Sequence, residues 1–257
     1  MSKEKAVNGK LKLFNLIMGF FHFAQGVLIL LLSTDFALPI NTGYLQFDLS
    51  TQKLAPVLET ISNLNVGYAV AGFLFLSALA HLLISLPKIS DWYLGNLKKG
   101  INYARWYEYS LSSSLMIVVI SMLVGIYDLS ALILVFGLNA SMILFGLLME
   151  LHNQTTKNTN WTAFIFGCIS GALPWLVIAL HLFGSGTGEY TPPTFVYWIF
   201  FSLFLFFNSF AVNMYLQYKR VGKWKEYLFG EKVYILLSLI AKSLLAWQVF
   251  AGTLRPE

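Results

Sequence analysis

Two charged residues lie inside apolar stretches of the sequence, where a charge is costly and can serve chemistry. Lys242 stands at the centre of "LLSLIAKSLLAW", and Glu108 lies in "ARWYEYSLSSSL". A single charge of either kind inside a membrane costs roughly 2.5–3.5 kcal/mol on an insertion scale. The other eleven of the 12 acidic residues fall in predicted loops, tails or helix ends. We therefore expect the interior to hold one cation, Lys242, and one anion, Glu108, facing each other between two helices.

This lysine–glutamate pair has two interpretations. It can be a structural salt bridge or part of a transport route, or the lysine can carry an aldehyde through an imine, as amines held in apolar sites do. A protonated imine needs a counterion, and a carboxylate about 4 Å away at an effective dielectric constant of about 20 stabilises it by about 4 kcal/mol. Under the second interpretation, Glu108 keeps the imine of Lys242 protonated at neutral pH. Protonation moves the absorption of a polyene chromophore to longer wavelength.

Two serines are in register with the two charges. Ser112 follows Glu108 by four residues, and Ser238 precedes Lys242 by four residues, so each hydroxyl shares a helix face with its charge. The common use of such a serine is helix packing or a hydrogen bond to its own i−4 carbonyl. Because each of the two charges has a serine on its own helix face, the sequence favours a role for both hydroxyls at the imine and its counterion.

Two histidines predict a polar cavity beside Glu108. His22 lies in "MGFFHFAQG", with Gln25 close on the same side of its helix, and His81 lies in "SALAHLLIS". A lone histidine in a helix is more often a structural residue. Because imidazole takes up or passes a proton near neutral pH, two histidines in apolar helices indicate a cavity in which protons move.

The composition places these residues in a membrane. The chain has 257 residues, of which 57% are hydrophobic and only 11% charged, whereas soluble domains carry about 25% charged residues. Seven apolar stretches are long enough to cross a bilayer, and lipid forces each to be a helix. They lie near 13–33, 63–86, 101–126, 129–150, 161–184, 194–218 and 231–253. The sequence predicts an all-α protein, a seven-helix bundle that forms one domain over residues 1–257.

The connection between the first two spans, 34–62, predicts a small β-hairpin at the membrane surface. It contains a turn signal at 41–43, "NTG", and after it Leu45, Phe47 and Leu49 alternate with polar residues. Such alternation is typical of a short strand. The other connections are mostly short, and the third and fourth spans, joined by little more than Tyr127 and Asp128, must be antiparallel neighbours.

Lys and Arg residues are distributed unevenly between the two ends of the bundle. Fourteen of the 17 fall at the end that carries the N-terminus, two at the other end, and the last is Lys242. The fourteen are Lys3, Lys5, Lys10, Lys12, Lys88, Lys98, Lys99, Arg105, Lys157, Lys219, Arg220, Lys223, Lys225 and Lys232, and the two are Lys53 and Arg255. This split predicts a cytoplasmic N-terminus and, after seven crossings, an extracellular C-terminus. It also explains the net charge of +5 without nucleic acid.

With these features the chain resembles the heliorhodopsins over its whole length. The resemblance is carried by the topology, the hairpin and six residues: Lys242 in "SLIAKS", Glu108 in "RWYEYS", Ser112, Ser238, His22 and His81. It implies all-trans retinal bound covalently to Lys242, with Glu108 as counterion and the two histidines in a cytoplasmic-side cavity. It further implies isomerisation to 13-cis, a slow photocycle and a homodimer in which the hairpin takes part.

The walls of the retinal pocket are predicted from aromatic and flexible side chains near the two charges. We expect Tyr109, Met142, Phe207 and Trp247 to contact retinal. Packing against membrane lipid is the alternative for any one of these side chains.

Three functions remain to be distinguished. The first is a light sensor without net ion pumping, whose change in shape is read by a cytoplasmic partner, and the basic segment "KRVGKWKEYLFGEK" could present that surface or contact anionic lipid. The second is a light-driven proton transporter, which needs acceptor and donor groups towards both faces. The third is a membrane enzyme or transporter without retinal. We expect no enzyme and no metal site, because the sequence has a single cysteine and no Ser–His–Asp, metal or phosphate motif.

Overall fold

The computed structural model describes residues 2–184 and 191–254. Within these residues the chain forms eight α-helices and one two-stranded sheet. The elements are α1 (Ser2–Leu32), β1 (Ala37–Asp48), β2 (Lys53–Asn65), α2 (Val66–Leu83), α3 (Pro87–Lys98), α4 (Tyr103–Leu123), α5 (Leu129–His152), α6 (Thr162–Gly184), α7 (Thr194–Tyr218) and α8 (Tyr227–Val249). A 3₁₀ turn, Gly222–Lys225, precedes α8, and a π-helical turn, Phe250–Leu254, follows it. Arg255 and the C-terminal Glu257 lie outside the described residues.

Seven of the helices are long and apolar enough to cross a membrane, which confirms the predicted spans to within about five residues. They are Asn8–Leu32, Val66–Leu83, Tyr103–Leu123, Leu129–His152, Thr162–Gly184, Thr194–Tyr218 and Tyr227–Leu254. Three of them begin at a polar cap, because the side chains of Asn65, Asn102 and Asp128 accept hydrogen bonds from the first-turn amides. The remaining helix, α3, is short and amphipathic, and it lies between two of the spans.

The helices pack mainly against their neighbours in sequence, and α4 lies at the centre. The pairs α1–α2, α4–α5, α5–α6 and α7–α8 make the most extensive contacts, and α8 closes the bundle against α1. As predicted, α4 and α5 are antiparallel neighbours. Helices α6 and α7 touch each other little compared with α5 and α6. Phe73, Ile117 and Leu245 are fully buried where α2, α4 and α8 meet.

The β-hairpin exists, but the predicted position of its turn is wrong. Strand β1 continues through 41–43, and the turn lies at 49–52. Asp48 fixes it, because its carboxylate accepts hydrogen bonds from Ser50 (2.6 Å to the hydroxyl) and Thr51 (2.8 Å). These bonds lower the pKa of Asp48 to about 2, so the turn keeps its charged acceptor in mild acid. At the predicted turn there is instead a register shift between Ile40 and Asn41.

The two ends of the bundle differ in structure. The hairpin end comprises β1, β2, the α4–α5 connection and Leu254; there Asn41 N donates to Tyr127 O over 2.8 Å. The basic end comprises α3, the loop 153–161 and the 3₁₀ turn Gly222–Lys225, together with the start of α1. Which end faces the cytoplasm stays a prediction from the charge distribution.

Candidate functional site

The structure brings Lys242 and Glu108 together in the middle of the bundle. Nζ of Lys242 lies 3.2 Å from Oε1 of Glu108, and the two side chains are 4% and 9% exposed. The same ammonium donates to Oγ of Ser238 over 2.8 Å. It also lies 4.9 Å from the centroid of the Tyr109 ring, where the face of the ring attracts a cation. The amine is therefore held by a carboxylate, a hydroxyl and an aromatic face.

A further serine, Ser77 on α2, contacts the carboxylate and was not found by sequence reasoning. Its hydroxyl donates to Oε1 of Glu108 over 2.6 Å, so this oxygen accepts from Ser77 and Lys242 together. Ser77 lies one helical turn before His81, and that spacing was the available signal. Ser112 is fully buried one turn after Glu108, but its hydroxyl has no hydrogen-bond partner among the described residues.

A cavity of about 260 Å³ extends from Lys242 between α4, α5, α6, α7 and α8, and its walls are almost entirely apolar. Three of the predicted wall residues, Tyr109, Met142 and Phe207, line it. Trp247 does not line it. This side chain is 37% exposed, and its Nε1 donates to Oε1 of Gln25 over 3.0 Å.

The cavity owes its shape to small residues on α6 and aromatic residues on α7. Gly167 and Gly171 of α6 line it, and a Cβ at Gly171 would clash with Sδ of Met142. Trp175, also of α6, meets Phe207 of α7 edge to face, with the ring centroids 5.3 Å apart. An apolar space with an amine on its wall fits a polyene aldehyde. The residues present therefore fit retinal.

A second, polar cavity of about 30 Å³ lies between Glu108 and the basic end. This volume holds about two water molecules. Its polar walls are Asn15, His81, Tyr93, Asn102, Arg105, Glu108 and Tyr109. Burial raises the pKa of the Tyr93 phenol, and the nearby Glu231 carboxylate raises it further, so the phenol stays neutral.

The two predicted histidines are adjacent, and Gln25 is apart from them. The rings of His22 and His81 stack with centroids 5.7 Å apart, and both are buried. The side chain of Gln25 contacts Trp247 and the carbonyl oxygen of Phe21 instead. Of the three predicted residues, only His81 lines the polar cavity; His22 stacks on His81, and Gln25 belongs to a pair on the outer surface of α1 and α8.

A buried charge cluster lies beyond the polar cavity, towards the basic end. Nη2 of Arg105 contacts Oε1 of Glu150 over 2.6 Å, and Nη1 contacts Oε1 of Glu231. Glu150 and Glu231 are 2% and 0% exposed. The expectation that the interior holds only one cation and one anion is therefore wrong. Sequence reasoning assigned these two acids to a helix end and a loop, but α8 begins one turn earlier than predicted.

Polar neighbours satisfy the acids of this cluster. Glu150 also accepts from Asn102 N (2.9 Å) and Trp106 Nε1 (2.6 Å), and Glu231 accepts from Asn102 Nδ2 (2.6 Å). The guanidinium of Arg105 lies 3.9 Å from the centroid of the Tyr234 ring. A buried ion cluster with this many donors holds its helices in one arrangement. It ties α4, α5 and α8 together at one end of the polar cavity.

Comparison with known proteins gives one family. A family model described as Heliorhodopsin matches residues 11–254. No curated protein matches the chain.

Proposed function

The chain belongs to the heliorhodopsin family, and we propose that this retinal-binding, rhodopsin-like membrane protein is a light sensor with all-trans retinal bound covalently to Lys242 as a protonated Schiff base. The observation that carries the proposal is the amine of Lys242. It lies on the wall of an apolar cavity and 3.2 Å from the carboxylate of Glu108. A structural salt bridge alone has no need of an adjacent apolar cavity.

Each residue around the amine has a distinct task in this proposal. Bound retinal supplies absorption of visible light and isomerisation from all-trans to 13-cis. Glu108 holds the proton on the Lys242 nitrogen in the dark and accepts it at Oε1 after light. Ser77 orients the carboxylate, and Ser238 orients the nitrogen, because their hydroxyls bond these two groups. Ser112 is buried one turn from the carboxylate and could bond it through water.

The distribution of acids supports a sensor rather than a proton pump. Glu231 precedes Lys242 on α8 by 11 residues, or about 16 Å of helix, and Glu150 bonds the same arginine. Both acids therefore lie towards the basic end. Among the described residues, Asp128 and Asp35 at the hairpin end are not buried. A pump needs proton-carrying groups towards both faces, so we expect protons to move within the polar cavity and not across the membrane.

Several further properties belong to the same proposal. The charge distribution supports a cytoplasmic N-terminus and an extracellular hairpin. The hairpin exposes Leu45, Leu54 and Leu58 at 68%, 63% and 70%, which supports its participation in a homodimer. The basic end, with the turn Gly222–Lys225, is the surface for a cytoplasmic signalling partner or for anionic lipid. A slow photocycle suits a sensor, whose signal lasts as long as its altered state.

An absorption spectrum tests the retinal linkage. Purified protein supplied with all-trans retinal should show a visible band, and hydroxylamine should remove it by cleaving the imine. Lys242→Ala should show no visible band, whereas Lys232→Ala, on the same helix but near its start, should keep it. No band in the wild-type protein, or a band in Lys242→Ala, would overturn the proposal.

Illumination of cells separates a sensor from a pump. We expect neither a sustained change of external pH nor a stationary photocurrent in cells that carry the coloured protein. A sustained, ionophore-sensitive pH change would establish light-driven proton transport instead.

A further inference from the structure

We propose that Asn15 is a positioning residue that fixes the tautomer of His81, so that Nε2 of the neutral ring accepts a proton in the polar cavity. This inference rests on the proposed light-sensor function, because light-driven release from Lys242 is the source of the proton. The tautomer itself follows from hydrogen bonds that are independent of light.

The orientation of the Asn15 amide is fixed by the backbone of its own helix. Asn15 is 1% exposed on α1, and its Nδ2 donates to the carbonyl oxygen of Leu11 over 3.0 Å. Since a carbonyl oxygen only accepts, exchanging the amide oxygen and nitrogen would bring two acceptors together. Oδ1 of Asn15 must therefore point away from Leu11.

That oxygen meets His81. Oδ1 of Asn15 lies 2.9 Å from Nδ1 of His81. An amide oxygen has no hydrogen to give, so Nδ1 of His81 must donate and carry the hydrogen. A neutral imidazole has only one N–H, and hence its Nε2 bears a lone pair. Nε2 forms no hydrogen bond with any residue that the structure describes.

The residues around the His81 ring include the group that can give a proton to this lone pair. His81 and Glu108 line the same polar cavity. The charged and titratable groups around the ring are Glu108 of α4, Lys242 of α8 and the stacked His22 of α1; the other cavity walls carry Tyr93 of α3 and Arg105 and Tyr109 of α4. The ring that bears this acceptor thus lines water-sized space shared with the counterion.

The proton transfers balance as follows. The N–H bond at Lys242 breaks and an O–H bond forms at Glu108, which neutralises both groups. The O–H bond then breaks and an N–H bond forms at Nε2 of His81, directly or through a water molecule. Glu108 is again a carboxylate, and the positive charge has moved from Lys242 to an imidazolium with hydrogen on both nitrogens. The opposite tautomer, with hydrogen on Nε2, would donate to the cavity and could not take this proton.

Nitrogen NMR of the histidine ring tests the tautomer directly. The protein is labelled with ¹⁵N-histidine in a His152→Gln, His181→Gln background, and the His81 signals are assigned by their loss in His81→Gln. We expect a protonated Nδ1 and a bare Nε2, both without retinal and with retinal bound. A wild-type ring with its hydrogen on Nε2 overturns the proposal, even if no Asn15 variant folds.

Variants of Asn15 separate positioning from packing. Asn15→Leu should shift the ring towards the Nε2–H tautomer, and Asn15→Asp should restore Nδ1–H because a carboxylate also accepts. Asn213→Leu is the matched control, since Asn213 is equally buried (2%) but bonds Trp224 and Gly230 instead. An unchanged tautomer in Asn15→Leu contradicts the proposal.

The same variants give a kinetic result in retinal-loaded protein. In Asn15→Leu we expect at least about tenfold slower appearance of the proton on His81 after a flash, and near-normal kinetics in Asn15→Asp. Equal rates in wild type and Asn15→Leu would exclude His81 Nε2 as the acceptor that Asn15 prepares. If no visible band forms at all, the light-sensor function fails, while the NMR result still decides the tautomer.

Discussion

At the scale of single residues, one carboxylate oxygen organises the site. Oε1 of Glu108 accepts from Ser77 and from Lys242, and Lys242 donates in addition to Ser238. The two serines therefore act on different partners, the first on the acid and the second on the amine. This division allows the contributions of acid and amine to be measured separately.

Removal of the carboxylate should destabilise the protonated imine. In Glu108→Gln the stabilisation of about 4 kcal/mol is lost, which corresponds to about three pH units. Because the carboxylate favours the protonated form, the midpoint at which the visible band disappears should move to lower pH by up to that amount. A pH titration of the absorption spectrum measures it. Glu59→Gln, at an exposed position of β2, should leave the midpoint unchanged; an unchanged midpoint in Glu108→Gln would exclude Glu108 as counterion.

Loss of the Ser77 hydroxyl should destabilise the protein, because the buried Glu108 carboxylate then lacks one of its two hydrogen-bond donors. A hydrogen bond to a charged group contributes about 1.5–3 kcal/mol, and Ser77→Ala should lower the free energy of unfolding by about that amount. Thermal unfolding in detergent measures it. Ser121→Ala, which removes a buried serine bonded only to Ile117 O, is the control. Equal losses of stability in the two variants would show that the bond from Ser77 to the counterion contributes nothing beyond that of an ordinary buried serine.

At the scale of the elements, close packing and buried charge fix how the helices meet. Gly146 of α5 lies against the indole of Trp106, whose Nε1 is held by Glu150 over 2.6 Å. Arg105 ties α4 to α5 and α8 through two carboxylates. The contact between α4 and α5 therefore requires glycine at position 146, because the ring of Trp106 fills the space of a side chain there. It also requires the complete ion cluster around Arg105.

Substitution of two glycines on α5 should have opposite effects on stability. A Cβ at Gly146 would overlap the ring of Trp106, so Gly146→Ala should destabilise the protein by about 1–3 kcal/mol. Gly137 has open space around it, and Gly137→Ala should stabilise the helix by up to about 1 kcal/mol. Thermal unfolding in detergent measures both. Equal melting temperatures for the two variants would contradict the close contact at Gly146.

Replacement of Arg105 alone should lower the free energy of unfolding more than replacement of the whole ion cluster. Arg105→Leu leaves two buried carboxylates without their cation and should destabilise the protein by about 3–5 kcal/mol. Adding Glu150→Leu and Glu231→Leu should recover much of this loss, because well-packed apolar residues often replace a buried ion cluster at little cost. Unfolding of the single and triple variants gives the comparison, with the exposed Lys225→Leu as control. A triple variant less stable than Arg105→Leu would show that the cluster is net stabilising.

At the scale of the whole molecule, the two ends of the bundle present different residues. The basic end carries most of the Lys and Arg residues, and the hairpin end carries the exposed leucines of β1 and β2. The polar cavity and the Arg105 cluster lie on the basic side of Lys242. A change at Glu108 therefore has charged and polar side chains next to it towards the basic end.

Cysteine labelling should decide the orientation. In a Cys168→Ala background, Lys53→Cys at the hairpin end should react with a membrane-impermeant maleimide on intact cells. Lys157→Cys at the basic end should react only after lysis, since both positions are exposed but lie at opposite ends. The reverse pattern would show that the N-terminus is extracellular.

The sequence alone predicted the seven spans and the two central charges, because the cost of placing a segment or an ion in lipid depends on local composition. It also predicted the existence of the hairpin, but not its turn, since Asp48 and its neighbours compete with the "NTG" signal. Only the tertiary structure brought Ser77 and Asn15 to the site and removed Trp247 and Gln25 from it. Helices that are apolar on every side do not reveal which face turns inward. The rotation of each helix about its own axis is decided by packing between segments far apart in the chain. Arg105, for example, turns inward to Glu150 and Glu231 on two other helices.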